Sequence, residues 1–129
     1  MRGSRRGGVN EMKTVMIIED NEYILNANAG YFRLCDYAVI EAPTLGKARA
    51  ELSQHTPDLI ILDNQFPDGY GLDFFRELRH TSDIPVIMIS AEGGTDGEKE
   101  AIRCGADVYL RKPYAMGELL EQVKRLLDQ

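Results

Sequence analysis

Five short apolar segments constrain the fold of this chain more than any other feature of its sequence. Most of them are continuous, without a polar residue at every second position. Strands that are buried on both faces have this composition, which is typical of a parallel sheet covered by helices. The predicted strands are residues 15–18, 38–40, 59–62, 86–89 and 108–110.

Between the predicted strands, apolar residues recur at the spacing of amphipathic helices. The predicted inward faces of the first, second, third and fifth helices are, in turn, Ile24, Ala27, Tyr31 and Leu34; Leu45, Ala48 and Leu52; Leu72, Phe75 and Leu78; and Met116, Leu119, Leu120, Val123, Leu126 and Leu127. The fourth helix is delimited by a capping box that starts at Thr95 and a stop at Gly105. Only Ala101 and Ile102 are clearly apolar between them, so we expect this helix to be the least firmly held.

The alternation of five strands with five helices predicts an α/β fold. The expected architecture is a five-stranded parallel sheet with helices on both faces, a doubly wound three-layer sandwich with right-handed crossovers. A length of 129 residues suits one domain. Residues 1–13 are basic, glycine-rich and without pattern, so we interpret them as an expression tag or disordered leader and residues 14–129 as the domain.

The charge of the predicted domain argues against direct nucleic-acid binding by this part of the chain. The sequence carries 15 Lys and Arg against 21 Asp and Glu, a net charge of −6. Residues 1–13 hold four of the basic residues and one of the acidic ones, which leaves residues 14–129 at −9. Such a surface repels phosphate backbones.

No apolar stretch is long enough to span a membrane. Two distant cysteines without a metal-ligand spacing favour a reducing, cytoplasmic location.

Polar residues follow four of the predicted strands, at the edge where open α/β sheets bind ligands. Glu19 and Asp20 follow the first strand, Asp63 follows the third, Ser90 the fourth, and Arg111 and Lys112 the fifth. Three neighbouring carboxylates repel one another, and a lysine or a divalent cation offsets that repulsion. Oxygen ligands without histidine or cysteine favour Mg²⁺ or Mn²⁺ over zinc. The set therefore predicts a site for a cation and a phosphoryl group, with the serine and lysine as phosphate ligands.

Each of these residues taken alone also has an ordinary structural interpretation. Asp20 or Asn21 can cap the first helix, and Asp63 can belong to the turn that follows its strand. An isolated serine is often a turn hydroxyl, and an isolated lysine is often a solvated surface charge. The functional interpretation depends on the arrival of all of them at one edge.

Five motifs occur in order along the chain: Glu19-Asp20, Leu62-Asp63, the loop Phe66-Pro67-Asp68-Gly69-Tyr70-Gly71-Leu72, Ser90-Ala91 and Lys112-Pro113-Tyr114. With these motifs the chain resembles the receiver domain of two-component response regulators, over almost all of residues 14–129. The pattern is most similar to receivers of winged-helix DNA-binding regulators. The resemblance implies a flavodoxin-like fold with strand order 2-1-3-4-5.

The resemblance also implies a role for the acidic residues. Asp63 would be the phosphoacceptor, attacking the phosphohistidine of a partner sensor histidine kinase to form a mixed anhydride. Asp20 and Asp63 would bind Mg²⁺ together with the backbone carbonyl of Gln65. Glu19 would act through a water on the metal. The domain would be a signalling module rather than an enzyme, limited to Mg²⁺-dependent self-phosphorylation and autodephosphorylation.

A second set of residues would bind the phosphoryl group and switch the domain. Lys112 would hold a phosphate oxygen, with its peptide bond to Pro113 in the cis form. Ser90, in the motif with Ala91, would move to the phosphate, and Tyr109 would then turn inward. This would repack the surface of the fourth helix, fifth strand and fifth helix, through which phosphorylated family members dimerise. The output, expected to be transcription, would pass through a domain absent from this chain.

The chain departs from the commonest family pattern at three positions. Glu19 stands where Asp is usual, Ser90 where Thr is common, and Tyr114 where Phe is common. Gln65 and Glu92 occupy the positions that tend to set the lifetime of the phosphoryl group.

Three other function classes remain as alternatives. A phosphatase of the haloacid dehalogenase type would need a second acid two residues after Asp63, where this chain has Gln65. A flavin binder would need a phosphate-binding loop after the first strand, where this chain has acidic residues. A degenerate receiver that serves only as an interaction scaffold remains open.

Overall fold

The computed structural model describes residues 12–90 and 95–128. The strands are β1 (Thr14–Ile18), β2 (Ala38–Ala42), β3 (Leu59–Asp63), β4 (Gln65–Phe66), β5 (Gly69–Tyr70), β6 (Val86–Ser90) and β7 (Val108–Arg111). The helices are α1 (Glu22–Leu34), α2 (Leu45–Leu52), α3 (Gly71–Arg79), α4 (Thr95–Arg103) and α5 (Met116–Leu127).

The central sheet is parallel and has the order β2-β1-β3-β6-β7. The two-residue strands β4 and β5 pair with each other as a separate antiparallel hairpin, which the sequence did not predict. The predicted fourth and fifth strands are therefore β6 and β7. The predicted α/β fold and the order 2-1-3-4-5 are confirmed.

Each side of the sheet carries its own apolar core, which explains the continuous apolar segments. On β1, Met16 and Ile18 pack on one side with α2, α3 and α4. Val15 and Ile17 pack on the other side with α1 and α5. Strands β3 and β6 are buried at every position. Alternate residues of one strand therefore supply both cores.

The predicted inward face of α1 is wrong. The buried residues of this helix are Leu25, Asn28, Ala29 and Phe32, whereas Leu34 is 85 % exposed. Apolar residues lie on both candidate faces of α1, and the polar Asn28 interrupts the face that is buried. Periodicity alone therefore favoured the wrong face. The inward faces predicted for α2, α3 and α5 are confirmed, because their residues are buried or pack against the two cores.

Helix α4 agrees with the prediction of a sparse apolar face. Ala101 is buried, whereas Ile102 is 47 % exposed. Gly105 ends the helical segment with φ of 105°, and its N–H donates to the carbonyl of Ile102. Residues 91–94 and the side chains of residues 95 and 96, including that of Thr95, lie outside the described residues. None of the helices described is long and apolar enough to cross a membrane.

Candidate functional site

The functional side chains stand at the carboxyl ends of buried strands. Asp63 is the last residue of β3, Ser90 is the last residue of β6, and both are buried. Glu19 follows β1 directly and is also buried. Its N–H donates to the carbonyl of Ala42 at 3.0 Å, which continues the hydrogen bonding of β1 with β2. The backbone of the sheet thus fixes three polar groups at one edge.

Three carboxylates meet at this edge. Glu19, Asp20 and Asp63 each offer an oxygen, and these oxygens lie within 4.8 Å of one another. The cap of α1 is Asn21, whose side-chain oxygen accepts the N–H of Ile24 at 3.0 Å. The sequence left open whether Asp20 or Asn21 caps α1, and the structure shows that Asn21 does.

Lys112 joins two of the carboxylates. Its Nζ lies 2.9 Å from Oδ2 of Asp63 and 3.7 Å from Oε1 of Glu19. Its backbone N–H donates to the carbonyl of Ser90 at 2.9 Å, which holds the ends of β6 and β7 together. Burial lowers the pKa of the lysine, but the hydrogen bond to Asp63 and the negative charges of Asp63 and Glu19 together outweigh burial and leave that pKa above its ordinary value. The bond from Lys112 to Pro113 is cis, the isomer implied by the resemblance.

This environment changes the pKa of Glu19. Burial raises its pKa from 4.5 to about 7, and the neighbouring Asp63 adds to the rise. The N–H of Asn21, which donates to Oε2 of Glu19 at 3.0 Å, and the charge of Lys112 act in the opposite direction. A cation at this edge would favour the ionised form. A donor set of carboxylate oxygens fits Mg²⁺ or Mn²⁺.

A cavity of about 280 Å³ opens above the cluster. Its walls come from the segments that follow β1, β3, β6 and β7, so it lies where four chain segments converge. The lining residues are Glu19, Asp20, Asn21, Ile24, Asp63, Asn64, Gln65, Ser90 and Lys112.

The segment after Asp63 is held tightly against the start of α3. The N–H of Gly71 donates to the carbonyl of Asn64 at 2.7 Å, and the N–H of Leu72 donates to the Asn64 side chain at 3.1 Å. A Cβ at position 71 would lie 2.0 Å from the carbonyl oxygen of Asp63, so only glycine fits there. Nothing in the local sequence marks this role of Asn64.

The structure does not bring every predicted residue to the cavity. Tyr109 is partly buried and packs against the core on the α4 side of the sheet. Its hydroxyl lies 3.4 Å from the position that a Cβ on Gly97 would occupy. The predicted residues Ala91 and Glu92 lie outside the described residues.

Asn28 is a buried polar residue that sequence reasoning missed. Its Nδ2 donates to the hydroxyl of Tyr114 at 3.4 Å, which connects α1 to the segment after Lys112. Burial raises the pKa of Tyr114. The replacement of the usual Phe by Tyr114 was the one available signal, because a hydroxyl in a partly buried place needs a partner.

Comparison with known proteins identifies the family. The model for the response regulator receiver domain matches residues 15–124. The chain belongs to this family. It is 39 % identical over 113 residues to the KDP operon transcriptional regulatory protein KdpE of Escherichia coli K12, and 34 % identical over 118 residues to the phosphate regulon transcriptional regulatory protein PhoB of Pseudomonas aeruginosa. These matches cover 88 % and 89 % of this chain but 50 % and 52 % of the relatives. The receiver thus spans about half the length of the curated relatives it matches.

Solved structures support the same fold. A CheY-like receiver domain protein from Methanospirillum hungatei superposes with a TM-score of 0.86 at 25 % identity, covering 92 % of this receiver and 95 % of that chain. The signal receiver domain of a LuxO-type repressor protein from Vibrio parahaemolyticus gives a TM-score of 0.85 at 28 % identity, covering 92 % of each chain. The receiver is therefore a CheY-like α/β domain of a two-component system.

Proposed function

We propose that this receiver accepts a phosphoryl group on Asp63 from a sensor histidine kinase in a Mg²⁺-dependent reaction. The observation that carries the proposal is the setting of Asp63, which is buried at a strand end with Lys112 2.9 Å from one oxygen. Two further carboxylates have oxygens within 4.8 Å. A lone turn residue would need neither a partly buried cation partner nor this convergence.

The proposed chemistry is a displacement at phosphorus. An Asp63 oxygen forms a bond to the phosphorus of a kinase phosphohistidine while the bond from phosphorus to the imidazole nitrogen breaks. The product is an acyl phosphate and a free histidine on the kinase. Lys112 remains beside the reacting carboxylate and stabilises the negative charge that the phosphoryl group brings.

The acidic residues would hold the cation. Asp20 and Asp63 would contribute carboxylate oxygens and Gln65 its backbone carbonyl, with Glu19 acting through water. When bound, Mg²⁺ neutralises the charge of the transferred phosphoryl group. Burial and crowding place the pKa of Glu19 at about 7, so the cluster gains most from a cation above that pH.

The proposed switch involves residues of the neighbouring strands β6 and β7. Ser90, preceding the segment with Ala91 and Glu92, would contact the phosphate, and Tyr109 would change its packing beneath α4. Gln65 and Glu92 would influence the lifetime of the acyl phosphate. The surface of α4, β7 and α5 would then control a transcriptional output or dimerisation. Two transcriptional regulators among the relatives support this output.

We assign residues 14–129 to the receiver and residues 1–13 to a leader outside it. The proposed location is the cytoplasm, where a sensor histidine kinase presents its phosphohistidine. The proposal includes no direct contact of this domain with nucleic acid or membrane. The net charge of −9 over residues 14–129 supports the first exclusion.

Intact-mass measurement tests the proposal. The protein is incubated with acetyl phosphate and Mg²⁺, with and without EDTA, beside Asp63→Asn and the control Asp73→Asn, which changes an exposed aspartate on α3. We expect one phosphoryl adduct on the wild type and on Asp73→Asn, and none with EDTA or Asp63→Asn. An adduct that survives in Asp63→Asn would move the phosphoacceptor elsewhere. Loss of both the adduct and Mg²⁺ binding in the wild type would favour the scaffold alternative.

A further inference from the structure

One side chain of the hairpin that follows Asp63 accepts hydrogen bonds from the amino end of α2. Strands β4 and β5 pair through Gln65 with Tyr70 and Phe66 with Gly69. Asp68 lies in the turn between them and is not among the residues that line the cavity. Its Oδ1 accepts the N–H of Leu45 at 3.2 Å, and its Oδ2 accepts the N–H of Gly46 at 3.0 Å.

These contacts cap the amino end of α2. The first four N–H groups of a helix have no partner within the helix. Here the hydroxyl of Thr44 accepts the N–H of Lys47. Asp68 accepts the N–H groups of Leu45 and Gly46. Thr44 belongs to the segment that enters the helix, whereas Asp68 comes from the hairpin, 23 residues further along the chain.

Two other observations indicate that the hairpin packs closely against α2. A Cβ on Gly69 would lie 3.1 Å from a methyl group of Leu45, so the hairpin lies directly on the first residue of α2. The hydrogen bond from Gly46 lowers the pKa of Asp68, which keeps the carboxylate ionised next to the positive end of the helix.

The hairpin also carries a group that the proposed function needs. Gln65, whose backbone carbonyl is the proposed cation ligand, begins the hairpin two residues after Asp63. At the other end, the hairpin runs into Gly71, which is locked to Asn64 by the 2.7 Å hydrogen bond. The base of the β4–β5 hairpin is therefore fixed beside the carboxylate cluster, and Asp68 fixes the turn at the other end of the hairpin.

We infer that Asp68 is a positioning residue for cation binding: by joining the hairpin to α2, it holds the Gln65 carbonyl in place. This inference rests on the proposed function, because it takes Gln65 as a cation ligand. Asp68 itself binds neither cation nor phosphate. It acts by restricting the backbone, so its loss should weaken Mg²⁺ binding while the three carboxylates stay intact.

Thr44→Ala provides a matched control, since it removes a hydrogen bond from the same helix end without touching the hairpin. Mg²⁺ is titrated into the 129-residue wild type and into Asp68→Ala, Asp68→Asn and Thr44→Ala. Binding is followed by NMR chemical shifts at a temperature below the unfolding transition of every variant. We expect the dissociation constant for Mg²⁺ to rise about 3–10-fold in Asp68→Ala, less than the ~10–100-fold loss typical of residues that contact a metal ligand directly. Asp68→Asn, which keeps one acceptor, should lie between Asp68→Ala and the wild type. Thr44→Ala should stay within about twofold of the wild type.

Amide hydrogen exchange supplies a second readout that needs no metal. Exchange across residues 65–70 should accelerate in Asp68→Ala and not in Thr44→Ala. If Asp68→Ala binds Mg²⁺ as tightly as the wild type, or if Thr44→Ala weakens binding equally, the positioning role is wrong and the proposed function stands. If the wild type itself binds no Mg²⁺, the proposed function is wrong, and the positioning role of Asp68, which depends on it, is wrong as well.

Discussion

Helices α4 and α5 flank the same edge strand, β7, and are attached to the domain in different ways. Helix α5 buries Leu119 and Val123 completely, and four more apolar residues of this helix pack against the core. Among residues 97–103 of α4, Ala101 is the one buried apolar side chain. Apolar burial of this kind stabilises by roughly 25 cal/mol per Å². The comparison indicates that α5 is fixed by packing, whereas α4 is much less so.

Charge pairs with neighbouring elements contribute to the attachment of α4. Arg76 of α3 contacts Glu100 of α4 at 2.6 Å, and Arg111 of β7 contacts Glu98 at 2.9 Å. Exposed pairs of this type contribute little and weaken in salt. The helix on the proposed switching side is thus tethered mainly by interactions that are easily exchanged. The helix after Lys112 is anchored by the core.

The largest expected effect comes from truncating an apolar side chain on each helix. Leu119→Ala should lower the free energy of unfolding by about 2–5 kcal/mol, because it opens a cavity in a closed core. Ile102→Ala on α4, where the side chain is 47 % exposed, should cost less than about 1 kcal/mol. Urea unfolding measures both. Equal losses would mean that α4 is packed as firmly as α5, and the comparison would be wrong.

The Asn28–Tyr114 pair offers a smaller effect on the α5 side. Either Asn28→Leu or Tyr114→Phe leaves a buried or half-buried polar group without its observed partner, at a cost of about 1–2 kcal/mol. The double variant should lose less than the sum of the two single variants, with a coupling energy of about 0.5–1.5 kcal/mol. Tyr23→Phe, at an 84 % exposed position on α1, is the control and should change nothing. If the losses in free energy of unfolding are additive, the Asn28–Tyr114 hydrogen bond does not help to hold α1 against the segment that leads into α5.

These two tests also mark what sequence could and could not predict. The strands were predictable because a strand buried on both faces needs a continuous apolar segment, and the sparse apolar face of α4 was visible in its composition. The buried face of α1 was not, because Asn28 interrupts it and its partner Tyr114 is 86 residues away. Likewise, nothing local marks Asp68 as an acceptor for the N–H groups of Leu45 and Gly46, since those contacts exist only after the hairpin reaches α2. The acidic cluster was predictable because strand ends at one sheet edge must converge.

The pH dependence of stability tests the protonation of the buried carboxyl group of Glu19, which lies beside Lys112. The pKa of Glu19 is about 7 in the fold against an ordinary 4.5. The stabilising contribution of protonated Glu19 is therefore complete below about pH 4.5 and is lost as pH rises through about 7. Between pH 5 and 8 in EDTA, the free energy of unfolding of the wild type should fall by on the order of 1 kcal/mol more than that of Glu19→Gln, allowing for solvent screening.

Mg²⁺ should reduce this difference, because the cation stabilises the ionised carboxylate. Glu121→Gln, which changes an exposed carboxylate on α5, should keep the wild-type pH profile. A Glu19→Gln profile that is parallel to the wild type would show that this carboxyl group does not titrate in that range.

The smallest expected effect concerns the tether of α4 itself. Glu100 accepts hydrogen bonds from Arg76 and Arg103, and the contact with Arg76 is the main reason that its pKa lies below the ordinary value. The pair is therefore charged at neutral pH, and its contribution is lost only as pH falls through that lowered pKa. Glu100→Gln or Arg76→Gln should accelerate amide exchange in α4 by no more than a few-fold and leave α5 unchanged. Salt at about 1 M should act on the wild type in the same way. Arg125→Gln on the exposed side of α5 is the control. If neither variant nor salt alters α4, then Ala101 and the backbone contacts of Gly105 suffice to hold this helix, and the proposed switch must overcome packing rather than charge.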